Sequence, residues 1–156
     1  MIDITKFKSV SFVLEGVLTD EFNGEINPRK EEMQTLLKEC LKHGKKVTIF
    51  SRRYGPDAET YPFIGYGKKP VKLTKENKIE YEIGNKLIKE FVDIDSVNVI
   101  YTSRYQYAGL SRGNWSNHAH FDSSDYEIIA INDNFGDLIK TFNITQENWK
   151  NYEHGN

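Results

Sequence analysis

Apolar residues along this chain fall into two patterns, short continuous runs and stretches with helical spacing, and the two alternate. Residues 9–14 are nearly all apolar, as in a strand buried on both faces of a parallel sheet. Residues 47–50, 97–101 and 127–131 repeat that pattern and predict three further strands. Between the first two, Asn27-Pro28 supplies an N-cap and a proline at the first helical position. Met33, Leu36, Leu37, Cys40 and Leu41 follow with helical spacing, and Gly44 marks the end. Ile83, Leu87, Ile88 and Phe91 predict a second amphipathic helix over 76–92, weakened by Gly84. Leu138, Ile139 and Phe142 predict a third, with a short segment near Trp149 behind it.

Asn23-Gly24 is a tight-hairpin signal, so residues 20–26 should form a small flap beside the end of the first strand. Residues 54–75 hold Pro56, Pro62 and Pro70 with Gly55, Gly65 and Gly67, a turn-rich connection of functional length. Residues 102–126 are polar and aromatic without helical period, and are read as irregular.

Strands alternating with helices predict an α/β fold, a three-layer Rossmann-like parallel sheet with right-handed crossovers. That topology brings loops 13–20, 51–55, 102–106 and 132–137 to one sheet edge, where a ligand should bind. At 156 residues the chain suits a single domain over 1–156. Cys40 stands alone, which excludes an intramolecular disulfide and suits a reducing compartment. With no leader-like or spanning apolar run, a cytoplasmic location is expected.

A formal net charge of −2 conceals an asymmetry, because residues 42–78 carry ten basic and three acidic side chains, net +7. Such a segment either meets phosphates or an acidic partner, or is a solvated lysine-rich face. Lys68, Lys69 and Lys72 lie within it, as does Arg52-Arg53, which has the charge to hold an anion bidentately. Tyr101, Arg104, Tyr105, Tyr107, Arg112, Trp115 and His118 interleave aromatic and cationic groups. Surfaces that stack bases do this, and so do protein interfaces and loops packed by their own rings.

Glu15-Gly-Val-Leu-Thr-Asp20 after an apolar strand resembles the opening motif of the haloacid dehalogenase-like (HAD) superfamily, Asp-x-Asp-Gly-Thr/Val-Leu. The resemblance implies magnesium-dependent phosphotransfer by four elements spread over residues 9–142. The attacking aspartate falls on Val13, which carries no oxygen, and the general acid falls on Glu15. Ser51 matches the Ser/Thr that contacts the phosphoryl group. The family's lysine has no counterpart between Lys89 and Lys140. Asp133 and Asp137 match the acidic pair that holds magnesium; helix capping is the other reading of these two residues.

The resemblance therefore implies a HAD-like frame that has lost its nucleophile and acts by binding, with magnesium retained weakly if at all. The partner-binding candidates are Arg52, Arg53, Lys68, Lys69, Lys72, Arg104, Tyr105, Arg112 and Trp115, facing protein or nucleic acid. A general likeness in size and in the 12–18 stretch to phage Alc-type host transcription terminators suggests RNA polymerase or DNA as the partner. The alternative is a magnesium-dependent phosphohydrolase of a nucleotide or small phosphomonoester, using Glu15, Ser51, Asp133 and Asp137.

Two other chemistries have less support. His118-Ala-His120-Phe-Asp122 has the alternation of a zinc-hydrolase motif, but Ser123 stands where that family places its next histidine. No phosphate-binding glycine loop, dinucleotide fingerprint or Gly-x-Ser-x-Gly elbow occurs.

Overall fold

The structure is a computed structural model that describes residues 4–56, 60–61, 71–103, 118–121 and 128–130. Strand β1 (Ser9–Val13) lies at the centre of a five-stranded sheet, flanked by β2 (Lys46–Ser51) and β6 (His118–Phe121). Outside these are β5 (Asn98–Tyr101), on β2, and β7 (Ile128–Ala130), on β6. The first four strands named are mutually parallel. A separate ladder pairs β3 (Thr60–Tyr61) with β4 (Val71–Lys72).

Successive side chains of each strand go to opposite faces of the sheet. Val10, Phe12, Leu14, Val47, Ile49, Ala119 and Phe121 join one core with Met33, Leu36, Leu37 and Cys40 of α1 (Lys30–Lys42) and Ile88 of α3 (Glu80–Lys89). Phe12 stacks on Phe121 at 4.9 Å across the β1–β6 pair. The intervening positions, Ser9, Ser11, Thr48, Phe50, Ile100 and His120, are buried as well, so at β1 and β2 both faces of the sheet are withdrawn from water. Burial of Cys40 pushes its thiol pKa up to about 11, consistent with a packing role.

Several sequence expectations are met. The α/β architecture with a parallel sheet forms, and β1, β2 and β5 lie where the first three apolar runs place them. Gly44 ends α1 at φ +73°, with Lys45 N–H donating to Cys40 O and Gly44 N–H to Leu41 O, a Schellman closure. Among the described residues no helix is long and apolar enough to cross a membrane.

Other expectations need correction. The strand expected at 127–131 forms over Ile128–Ala130, but it runs antiparallel at the sheet edge. The place beside β1 belongs to His118–Phe121, within a stretch read as irregular. The difference has a physical cause: the two histidines break the apolar run, yet Ser11 bonds the His120 ring at 2.6 Å and makes it admissible in the core.

The second helix is broken, with α2 (Lys75–Lys78) ending at Ile79 before α3 begins. Thr74 and Asn77 form a capping box on α2, and Glu80 turns inward to accept Tyr54 N–H. Ile83, expected to face the core, is 49% exposed.

Asn27 does not cap α1, because its amide donates to Val17 O and Thr19 O while its side-chain oxygen accepts Arg29 N–H; the helix starts at Lys30. Finally, the Asn23-Gly24 turn closes through Gly24 N–H to Glu21 O and Glu21 N–H to Glu25 O, but its arms do not pair as strands. The third predicted helix and the segment near Trp149 lie outside the described residues.

Candidate functional site

Val13 pairs with Phe50, so the segments just beyond β1 and β2 leave the sheet side by side at its C-terminal edge. Leu14 N–H extends the ladder to Phe50 O. Its own carbonyl then accepts Leu18 N–H, Thr19 N–H and the Thr19 hydroxyl, which wraps the chain into a tight turn. Gly16 permits that turn at φ +87°, and a Cβ there would stand 2.6 Å from the Glu21 carboxylate folded back upon it. Glycine is required on both counts.

This turn delivers Glu15 to the interior, with no solvent exposure. Its Oε2 accepts the Ser51 hydroxyl at 2.7 Å and lies 3.3 Å from Arg53 Nε, while its Oε1 accepts Arg52 N–H at 2.9 Å. The Ser51 oxygen in turn accepts Arg53 N–H at 3.2 Å. Arg52 reaches back to Glu15 O at 3.3 Å and lies 3.8 Å from Glu21. A carboxylate so far from water is tolerable only when paired and hydrogen-bonded, and this one is both.

Arg53 is the hub of the arrangement. Its side chain is 13% exposed, and the guanidinium sits 4.7 Å from the centroid of the Phe22 ring, a cation–π contact with the 20–26 turn. On its other side runs α3. A Cβ at Gly84 would stand 2.8 Å from Tyr101 Cε1 and 3.3 Å from Arg53 Cδ, so the glycine that weakens the helix in the sequence lets the helix approach.

Tyr101 donates its hydroxyl to Asn85 Oδ1 and meets the Tyr81 ring edge-on. Burial, and secondarily the Glu15 charge, raise the Tyr101 pKa far above its ordinary value, with Arg53 opposing. The loop after β2 is tied to the end of β5 by Thr102 N–H to Ser51 O at 2.7 Å and Ser103 N–H to Arg53 O at 2.9 Å. Gly55 N–H donates to Ser103 Oγ, and Ser103 itself is in the left-handed region at φ 52°.

Of the sequence candidates, Val13, Glu15, Ser51, Arg52 and Arg53 converge at this edge. Val13 is buried at the end of β1. Lys72 is exposed on β4. Lys68, Lys69, Arg104, Tyr105, Arg112, Trp115, Asp133 and Asp137 lie outside the described residues. Among the described residues no three His, Cys, Asp or Glu side chains come together as a metal site.

Phe22, Glu21, Glu80 and Asn85 take part without having been singled out in the sequence. Nothing in their spacing marks them, and only the fold brings them to Arg53, Gly16, Tyr54 and Tyr101. No family model, no curated protein and no solved structure matches this chain.

Proposed function

We propose that this chain is a HAD-like fold whose phosphotransfer chemistry is gone and which acts by binding a macromolecular partner. One observation carries the reading. The position of the attacking carboxylate holds Val13, and the carboxylate two residues on is consumed internally by Ser51, Arg52 and Arg53. A general acid must reach the leaving oxygen, and a phosphoryl-contacting hydroxyl must point its proton at the substrate. Here the Ser51 hydroxyl proton goes to Glu15.

As in an enzyme whose site has become a structural pin, the groups are preserved as one another's partners. The function then falls to the surface. The excess of basic side chains over 42–78 and the aromatic, arginine-bearing stretch 101–118 favour the transcription apparatus, RNA polymerase or DNA, as the partner to test first.

Two measurements test this. Hydrolysis of p-nitrophenyl phosphate and of nucleoside phosphates with magnesium should stay at the level of buffer; turnover that Asp133→Asn abolishes overturns the reading. Affinity capture from a bacterial lysate with and without nuclease then separates a protein partner from a nucleic acid. Charge reversal at Lys68, Lys69 and Lys72 together should weaken that capture and flatten its salt dependence.

A further inference from the structure

Next to the Arg53 hub lies a half-open cleft of about 420 Å³, walled by the turn after β1, the first turns of α1 and the end of α3. Its volume is within the roughly 300–1,000 Å³ usual for ligand clefts. Leu87 and Phe91 supply its apolar surface, and both are only half-buried.

Its charges do not cancel. Lys30 and Arg53 line it, but Lys30 is held by Asp20 at 3.1 Å and Arg53 by Glu15 at 3.3 Å. Glu21, Glu31 and Glu90 line it as well. Glu21 has Arg52 at 3.8 Å, and Glu31 and Glu90 have no ion pair among the described residues. Gln34 donates its amide to Leu18 O, which leaves its side-chain oxygen as an acceptor on the wall.

We propose that this cleft docks a lysine or arginine side chain in an extended segment of a protein partner. The aliphatic stem would lie on Leu87 and Phe91, and the cationic head among Glu21, Glu31 and Glu90. Long basic side chains bind in this divided way, stem on apolar surface and head among opposite charges. A free polyamine fits less well, because its charges recur along the chain and one of them would be desolvated against Leu87 and Phe91. The Gln34 side-chain oxygen, its amide nitrogen already engaged by Leu18 O, can accept a backbone N–H, which a segment of polypeptide offers. The inference goes beyond the binding function proposed above and stands without it, since it uses neither the 42–78 lysines nor the loss of the nucleophile.

The test uses the full chain and fluorescence anisotropy of a labelled peptide that alternates lysine and serine, with a glutamate–serine peptide as its opposite. The lysine peptide should bind saturably, the glutamate peptide should not, and added salt should weaken binding. Reversing two exposed rim charges, Glu31→Lys with Glu90→Lys, should weaken the lysine peptide by about tenfold or more. The control, Glu39→Lys with Glu76→Lys, changes net charge equally away from the cleft and should leave affinity within about twofold. Both double variants are read only after their circular dichroism and melting match the parent. Equal loss in the two variants, absence of saturable binding, or tighter binding of spermine than of the peptide each overturns the proposal.

Discussion

Substituting Arg53 by methionine keeps most of the side chain's volume and removes its charge, which isolates the ion pair at the heart of the sheet edge. Glu15 would remain fully buried, with Ser51 and Arg52 N–H still donating to it. Removing one partner of a buried pair costs about 3–5 kcal/mol, because the surviving charge stays desolvated. The Arg52 guanidinium, 3.3 Å from Glu15 O, still contributes positive potential and places the expected loss at the lower end, about 3 kcal/mol. At about 2–4 °C per kcal/mol for a chain of this size, the melting temperature should fall by about 6–12 °C.

Urea unfolding of the parent, Arg53→Met, Glu15→Gln and the double variant closes a cycle. In the Glu15→Gln background the arginine has no carboxylate to neutralise, so its removal should cost about 2 kcal/mol less than in the parent. Loss below about 1 kcal/mol in the single variant, or equal loss in both backgrounds, would refute the account of Arg53 as counter-charge.

Gly84→Ala sets two effects against each other. An exposed helix would gain up to about 1 kcal/mol from the change. Here the added methyl meets Tyr101 at 2.8 Å and Arg53 at 3.3 Å, and the Tyr101 ring is held by Asn85 and Tyr81. The variant should therefore be less stable by about 1–3 kcal/mol in denaturant melts; an increase would show that the ring moves aside. Asp20 has a lowered pKa, through Asn27 N–H first and Lys30 second. Its contribution is present above the unfolded value of 3.8 and is lost as pH falls through the lower folded value. Asp20→Asn should accordingly flatten the acid limb of the stability profile while leaving its shape near neutrality unchanged.

What the sequence disclosed about this molecule depended on how local the cause was. Residues 9–14 and 47–50 announce themselves as buried strands because each is apolar on both faces, and their parallel pairing follows from the helix between them. The Glu15–Ser51 encounter was equally legible, since it needs only that two adjacent strands end together.

His118–Phe121 was illegible for the opposite reason. Its place beside β1 rests on Ser11 bonding an imidazole from 109 residues away, a contact that no window along the chain contains. The same holds for Gly84, which reads as a flaw in a helix until Tyr101 and Arg53 are set against it. Within the site, charge and spacing pointed to Arg52 and Arg53. They did not disclose that Arg53 faces inward to Glu15, which its 3.3 Å approach and 13% exposure reveal.

The order of the sheet also governs how the polypeptide emerges during synthesis. β1 finds β2 only 37 positions later, yet its other edge waits for β6, whose His118 sits opposite Ser9 and is made 109 positions after it. Until then Val10 and Phe12 line a bare ribbon margin with unsatisfied amides, the kind of margin to which nascent chains adhere. Ribosome-bound fragments that stop short of position 118 would thus expose a sticky half-sheet, and chaperone occupancy on translating ribosomes should drop as soon as β6 clears the exit tunnel.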